Sequence, residues 1–266
     1  MFMNEIIEKD FLEKYKGKQP NWGFNGLGYI VYKRTYARTK ENGETEEWYE
    51  TVARCINGAQ KIGANYSKEE AQKLFDLIFN LKCNFAGRML WQLGTSTVDR
   101  FGANSLLNCW YVSMNEPKAF TFLFENLMLG GGVGIGFGIR STDDKSTGVM
   151  PHLKIYDASS LAYRQGRTRR GSYAAYLDIS HPDIIAFLEM RKPTGDPNVR
   201  CLNLHHGINI TDDFMQIIEK CMLDPNADDS WNLVDPHSKE IRETVSAKHL
   251  WQQILELRMH TGEPYI

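Results

Sequence analysis

The sequence lacks any long hydrophobic run: no stretch of about 18 apolar residues occurs, so no membrane-spanning helix is predicted. The amino terminus, MFMNEIIEKDFLEKYKGKQ, is too highly charged for a secretory signal peptide. Cysteine is scarce, with five in 266 residues and no Cys-x-x-Cys pair, which argues against a zinc site or a secreted disulfide framework. These absences predict a soluble, reduced, cytoplasmic protein that is not a membrane protein and holds no structural metal.

An excess of charge of either sign is also missing. The formal net charge is −2, which gives no general attraction to nucleic acid or to anionic membranes, so neither is expected as a partner. The hydrophobic fraction of 42% and the charged fraction of 24% are ordinary for a globular protein. The length permits one large domain, or a small domain with a medium one.

The first part of the chain predicts helices and one hairpin. A short charged helix is expected in the first 20 residues, and residues 29–52 are β-branched and aromatic on both sides of Asn42-Gly43, the strongest short signal of a β-hairpin. Ser67 and Glu70 predict a capping box at the start of a helix over 67–82. The apolar segment 119–129 predicts a buried helix that Gly130 ends.

After the glycine run LGGGVGIGFGIR (129–140), strands and helices alternate. Strands are predicted in VGIGFGIR and at 172–179 and 202–210, and helices at 181–192, 211–222 and 246–259. Residues 226–244 predict an excursion of turns, and the final Tyr-Ile predicts the first residues of another strand. The alternation favours an α/β architecture.

The glycine run has two interpretations. Glycines allow backbone amides to approach a phosphate closely, and they also allow a helix and a strand to pack tightly. A nicotinamide-dinucleotide fingerprint requires a strand before the glycines and a helix after them. Here the helix comes first and the strand follows, so a dehydrogenase is not predicted.

Polar residues suggest further candidates, each with an ordinary alternative. The arginines between 164 and 170 fit phosphate contact or a solvated basic loop. His205 and His206 occupy adjacent strand positions that face opposite ways, so one buried and one exposed histidine is expected rather than a shared metal. Asp183 fits either a catalytic acid or a first-turn acid that complements a helix dipole.

Cys109 lies in LLNCWYV (106–112), inside an apolar run. An isolated cysteine in such a run is ordinarily a buried small hydrophobe. A redox function would need a thiol partner, and none is near it in the sequence. Spacing alone leaves both interpretations open.

Taken in order, several segments resemble the catalytic chains of ribonucleotide reductases. NWGFNGLGYIVYKRTYAR (21–38) and WYETVARCINGA (48–59) are similar to the N-terminal signature of the monomeric, adenosylcobalamin-dependent class II enzymes. GRMLWQLGT, NSLLNCWYV and FLFENLMLGGGVGIG continue the resemblance through residue 136. Residues 148–192 and LRMHTGEPYI (257–266) resemble the catalytic barrel shared by class I large subunits and class II enzymes.

The resemblance implies the first half of a ten-stranded α/β barrel over residues 91–266. A mainly helical region with a hairpin, residues 1–90, would precede it. In the family, the thiyl-radical cysteine, the carboxylate that works with it and the second reducing cysteine lie on later barrel strands, which would follow Ile266. The resemblance therefore implies an N-terminal fragment that is inactive alone and needs a complementary C-terminal fragment.

The resemblance also implies roles for individual residues. Cys109 matches the first of the two cysteines that reduce the substrate ribose and become a disulfide. The implied substrate-binding residues are Thr95, Ser96, Asn108, Gly131 and Gly132. The implied effector-binding residues are Arg140, which precedes a first specificity loop over 141–148, and Gln165, Arg167, Arg169 and Arg170 of a second loop.

The implied reaction begins when a thiyl radical abstracts the 3′ hydrogen; water then leaves from C2′ and two thiols supply the reducing equivalents. Adenosylcobalamin is the implied cofactor, because only about 20 residues precede NWGFNGLG and leave no room for the ATP-binding domain of class I. The alternatives are a class I large subunit, which receives its radical from a metal-containing partner subunit, and a non-catalytic nucleotide-binding module. The implied partners are a ribonucleotide substrate, a deoxynucleotide effector and thioredoxin or glutaredoxin.

Overall fold

The computed structural model describes residues 5–162, 164–165 and 169–266, with side chains at all of these except 164, 165, 169 and 170. The chain forms two compact units, Met1–Asn108 and Cys109–Ile266. Each unit has its own hydrophobic core. The domain boundary predicted after residue 90 stays a prediction.

The first unit is helical. Its helices are α1 (Lys9–Leu12), α2 (Leu27–Thr35), α3 (Trp48–Lys61), α4 (Lys68–Phe79), α5 (Gly87–Gln92) and α6 (Ser96–Phe101). Aromatic and aliphatic side chains of α3 and α4 form the centre of its core, among them Trp48, Ile56 and Phe75, which are fully buried. The mainly helical N-terminal region predicted from the sequence is confirmed.

The prediction of two β-strands at 29–52 is wrong, although the turn between them is present. The turn at Asn42-Gly43 exists, with Gly43 at a φ of +84°, and one antiparallel bridge between Thr39 and Thr45 closes it. The flanking segments are the helices α2 and α3 instead of strands.

Tertiary packing explains why helices replace the predicted strands. The ring of Tyr32 stacks on Trp22 at 5.3 Å and meets the edge of Trp48 at 5.1 Å. Glu47 and Glu50 form a capping box that fixes the start of α3. Burial of the aromatic rings and this cap together override the strand preference of the β-branched residues.

The capping box predicted for α4 is confirmed. The Ser67 hydroxyl accepts a hydrogen bond from the Glu70 amide at 3.2 Å, and the Glu70 carboxylate accepts one from the Ser67 amide at 2.8 Å. Both bonds satisfy amide groups that the first turn of a helix otherwise leaves unpaired.

Replacing Ser67 by alanine is expected to lower the free energy of unfolding by about 1 kcal/mol, because one of these amides loses its acceptor. Urea denaturation followed by far-ultraviolet circular dichroism measures the change. Ser67→Asp, which keeps an acceptor at the cap, is the control and should retain the wild-type midpoint. Equal loss in both variants would contradict the capping role.

The second unit is built on a parallel sheet. Its strands are β1 (Cys109–Ser113), β2 (Gly132–Gly136), β5 (Ser172–Asp178) and β6 (His205–Asn209), which pair in that order and all in parallel. Two further antiparallel pairs are β3 (Arg164–Gln165) with β4 (Arg169–Arg170), and β7 (Ser230–Val234) with β8 (Ile241–Ser246). The helices are α7 (Lys118–Met128), α8 (Val149–Ala162), α9 (Ile184–Glu189), α10 (Asp212–Leu223) and α11 (Ala247–Thr261).

The strand order indicates barrel-type winding. Each parallel strand is added beside the preceding one, without the reversal of direction that characterises doubly wound sheets. Of the strand predicted at the final Tyr-Ile, the structure shows one isolated parallel bridge, between Tyr265 and Gly207 of β6. The α/β class and the reversed helix–glycine–strand order are confirmed, although these strands do not close into a barrel.

The excursion of turns predicted at 226–244 is wrong. Most of this segment is the antiparallel hairpin β7–β8. Most of its residues are at least partly exposed, so its sequence lacks the apolar alternation from which a half-buried strand is recognised. Pairing between the two strands satisfies their backbone groups without a large apolar face.

Candidate functional site

Cys109 is the first residue of β1 and is exposed. The interpretation of Cys109 as a buried hydrophobe is therefore wrong. The parallel pairing places Cys109 opposite Gly132, and Gly132 opposite Ser172. The amino-terminal ends of three strands thus lie in one row that begins with a solvent-accessible thiol.

Gly132 leaves the surface beside this thiol open. A Cβ atom built on Gly132 would meet only the Ser172 carbonyl oxygen, at 3.8 Å. A ligand that contacts the row could therefore approach the backbone of β2 closely. This geometry agrees with the close-approach interpretation of the glycine run at Gly132.

At other glycines of the run, the packing interpretation holds. A Cβ on Gly131 would overlap the indole ring of Trp110, and one on Gly136 would overlap the hydroxyl of Tyr111. Large side chains of β1 thus occupy the space that these residues leave free. Gly131 leaves room for the indole ring of Trp110, and its role toward substrate stays a prediction.

The other cysteines are poor candidates for the same chemistry. Cys55, Cys201 and Cys221 are buried, and burial raises the pKa of the Cys55 thiol and of the Cys201 thiol to about 12 each. A thiol with so high a pKa is almost wholly protonated at neutral pH and is a weak nucleophile. Cys83 is exposed but belongs to the first unit. All five cysteines are free thiols.

Three predicted substrate-binding residues belong to the first unit. Thr95 is the N-cap of α6, and its hydroxyl donates to the Gln92 carbonyl at 2.7 Å. Ser96 begins α6 and Asn108 ends the unit, both with exposed side chains. Their roles stay predictions.

Sequence reasoning missed the ion pair that shapes the turn before Thr95. The Arg54 guanidinium binds the Glu46 carboxylate at 2.7 Å and donates to the Leu90 carbonyl at 2.9 Å. Gly94, at a φ of +74°, packs directly on the backbone of Arg54, where a Cβ would overlap it. No sequence signal pairs a glutamate and an arginine eight residues apart across a helix start, so only the fold reveals this support.

Arg140 lies at the start of the predicted first effector loop. Its guanidinium donates to the Asp143 carboxylate at 2.6 Å. The Asp183 carboxylate joins the two ends of the loop: it accepts hydrogen bonds from the amide of Thr142, near the start, at 3.2 Å and from that of Val149, just after the end, at 3.0 Å. Asp183 thus contacts the loop and the first residue of α8, whereas the sequence suggested a catalytic acid or a first-turn acid of its own helix.

The second predicted effector loop is described only in part. The backbone of Gln165 pairs with that of Arg169, and Arg164 pairs with Arg170. Arg167 lies outside the described residues, as do the side chains of Gln165, Arg169 and Arg170. Their effector contacts stay predictions.

The histidine pair behaves as predicted, with His206 buried and His205 partly exposed. One carboxylate binds both: Glu263 lies 2.5 Å from His205 Nδ1 and 3.0 Å from His206 Nδ1. Burial lowers the pKa of His206, although Glu263 acts in the opposite direction. Glu263 thereby holds the segment that carries Tyr265 against β6.

Neither a metal-binding cluster nor a membrane-spanning helix is found among the described residues. No group of three or more histidine, cysteine, aspartate or glutamate side chains is arranged to hold a metal ion in that part of the chain. Among the same residues, no helix has the length and apolar character needed to cross a membrane.

Comparison with protein families gives two matches. The ribonucleotide reductase barrel domain matches residues 118–266, and the ribonucleotide reductase alpha domain matches residues 7–95. The first match covers α7, β2 and every later element of the second unit. The second lies wholly within the first unit.

Individual relatives are named as reductases of two kinds. A ribonucleoside-diphosphate reductase large subunit of Invertebrate iridescent virus 6 is 68% identical over 139 residues, 52% of this chain and 14% of the relative. A putative one of Frog virus 3 is 52% identical over 52% of this chain and 24% of the relative. A probable adenosylcobalamin-dependent ribonucleoside-triphosphate reductase of Dictyostelium discoideum is 38% identical over 53% of this chain and 21% of the relative. The matched regions thus span less than a quarter of each of these relatives.

Proposed function

This chain belongs to the ribonucleotide reductase family, and we propose that it is the N-terminal portion of a catalytic chain that reduces ribonucleotides to deoxyribonucleotides. The observation that carries the proposal is the exposed Cys109 at the start of β1, opposite a glycine with open space beside it. A thiol that reduces a ligand and is later reduced by another dithiol must be accessible. Cys109 meets this requirement.

In the proposed step, Cys109 is one of two thiols that together give two electrons and two protons. The C2′ hydroxyl of the ribose leaves as water, C2′ gains hydrogen, and the two sulfurs form a disulfide. An external dithiol, thioredoxin or glutaredoxin, then reduces that disulfide by exchange. We place the second thiol and the radical-bearing thiol elsewhere in the enzyme, because the other cysteines of this unit are buried.

The proposed ligand sites follow the sequence predictions. In the second unit the backbone of Gly131 and Gly132 contacts the ribonucleotide, and the substrate-binding role of Thr95, Ser96 and Asn108 in the first unit stays a prediction. Arg140, loop 141–148 and the arginines beyond Gln165 contact a deoxynucleotide effector. An arginine next to a glycine-bounded loop suits a triphosphate, because guanidinium groups bind phosphate oxygens in pairs.

We propose a ribonucleoside-diphosphate substrate and a radical supplied by a separate subunit. The support is that the relatives at 68% and 52% identity are named diphosphate reductase large subunits. Adenosylcobalamin is the second candidate, since the Dictyostelium relative is named for it. Both candidates need a radical-bearing thiol, which we place elsewhere in the enzyme.

An assay of the whole enzyme that contains this chain tests the proposal. Diphosphate and triphosphate substrates are each supplied with adenosylcobalamin, with the metal-containing subunit, or with neither, and deoxynucleotide is quantified by chromatography. We expect product from diphosphates with the metal-containing subunit and none without it. Product that requires adenosylcobalamin would establish the second candidate, and no product under any condition would contradict reductase function.

A further inference from the structure

The hairpin β7–β8 contacts the start of loop 141–148. Asp235 directly follows β7 and is fully buried. One of its carboxylate oxygens accepts hydrogen bonds from both the amide of Ser141, at 2.9 Å, and the hydroxyl of Ser141, at 2.7 Å. Ser141 and Asp235 are far apart in sequence, so the contact is purely tertiary.

The second oxygen of Asp235 organises the hairpin itself. It accepts hydrogen bonds from the amides of His237 at 2.9 Å and Ser238 at 2.8 Å. Burial by itself would raise the pKa of this carboxyl, but the hydrogen bonds from Ser238, Ser141 and His237 outweigh it and hold the pKa well below its usual range. The carboxylate is therefore charged at neutral pH and joins the hairpin turn to the loop.

A second contact joins the hairpin to the middle of the loop. Arg242 of β8 lies 3.4 Å from the same Asp143 oxygen that the Arg140 guanidinium binds at 2.6 Å. The loop is thus held at its start by Asp235 and farther along by Arg242. Asp183 also holds the loop, through the amide of Thr142 beside Ser141 and through that of Val149 beyond the other end.

We propose that Asp235 is a positioning residue that fixes the conformation of loop 141–148 and so sets the response of the enzyme to its nucleotide effector. The effect on the effector response rests on the proposed function, whereas the effect on the loop conformation does not. A loop that must bind a ligand gains affinity when its bound conformation is already fixed in the free protein.

The test replaces Asp235 by asparagine, which keeps the shape but turns one acceptor into a donor facing other donors. We expect amide hydrogen exchange at residues 141–148 to accelerate on the order of tenfold, since the loop loses a charge-assisted hydrogen bond and opens more often. In the whole enzyme, the effector concentration for half-maximal stimulation should rise about fivefold or more, with effector-free turnover within about twofold of wild type.

Asp228→Asn is the matched control. Asp228 lies just before β7, and among the described residues its carboxylate accepts hydrogen bonds from Ser230 alone, so the same substitution there leaves the loop contacts intact. Ser141→Ala removes only the hydroxyl donor and should accelerate loop exchange less than Asp235→Asn. If the Asp235→Asn variant fails to fold, the Ser141→Ala variant still tests whether this hydrogen bond holds the loop.

Two results would overturn the inference: loop exchange unchanged in both Asp235→Asn and Ser141→Ala, or a loosened loop with an unaltered effector response. A whole enzyme that makes no deoxynucleotide would contradict the proposed function instead. The exchange measurement on the 266-residue chain would then still show whether the hairpin holds the loop.

Discussion

Replacing Cys109 by serine is expected to lower deoxynucleotide formation by the whole enzyme about a thousandfold or more, as observed when a reacting side chain is removed from a catalytic unit. A serine hydroxyl does not form a disulfide, so the two-electron reduction of C2′ would lack one of its two thiols. The exposed side chain at the start of β1 makes the substitution structurally mild, since no buried contact is lost. Product formation per enzyme, measured with excess external dithiol, gives the result.

Cys83→Ser is the matched control for this prediction. Cys83 is the other exposed cysteine and belongs to the first unit, so its loss should leave turnover at the wild-type level. A Cys109→Ser enzyme that retains turnover would contradict the proposed role. Unchanged nucleotide binding and function in the same variant would favour the non-catalytic nucleotide-binding module.

Replacing Gly131 by alanine is expected to lower the free energy of unfolding by about 1–3 kcal/mol, the usual cost of forcing an extra methyl group into a packed site. The new Cβ would overlap the six-membered ring of Trp110, and the indole packs against the core of the second unit. Relief requires the ring or strand β2 to move. Urea denaturation of the 266-residue chain, monitored by tryptophan fluorescence, measures both the loss of stability and the displacement of the ring.

Gly132→Ala is the adjacent control. Its Cβ would meet only one atom, at ordinary van der Waals distance, and alanine restricts the unfolded chain more than glycine does. Its stability should therefore stay within about 0.5 kcal/mol of wild type. Equal destabilisation by both substitutions would show that Trp110 does not occupy the space beside Gly131.

Local signals predicted the elements whose ends or periodicity are encoded by neighbouring residues. The capping box at Ser67 and Glu70 placed α4 correctly, and the apolar segment closed by Gly130 placed α7. The prediction of secondary structure failed where contacts with distant residues outweigh the local preference for strand or helix. The aromatic residues around Tyr32 suit a strand in isolation, but Trp22 and Trp48 bury them on a helix.

In the candidate site, too, some features are predicted by contiguous motifs and others depend on contacts between distant residues. The order of motifs was sufficient to indicate the family and to single out Cys109, because each motif is a short contiguous stretch. Contacts such as that between Ser141 and Asp235 join residues far apart in the chain and leave no periodic or spacing signal.

The sequence by itself determined the α/β class and the strand segments in and after the glycine run, since residue type and period encode these locally, and the order of its motifs singled out Cys109. Only the tertiary structure decided that Cys109 is exposed, that Gly132 is open while Trp110 fills the space beside Gly131, and that a buried carboxylate anchors loop 141–148. The physical reason is that exposure, steric overlap and buried hydrogen bonds depend on which distant segments pack together.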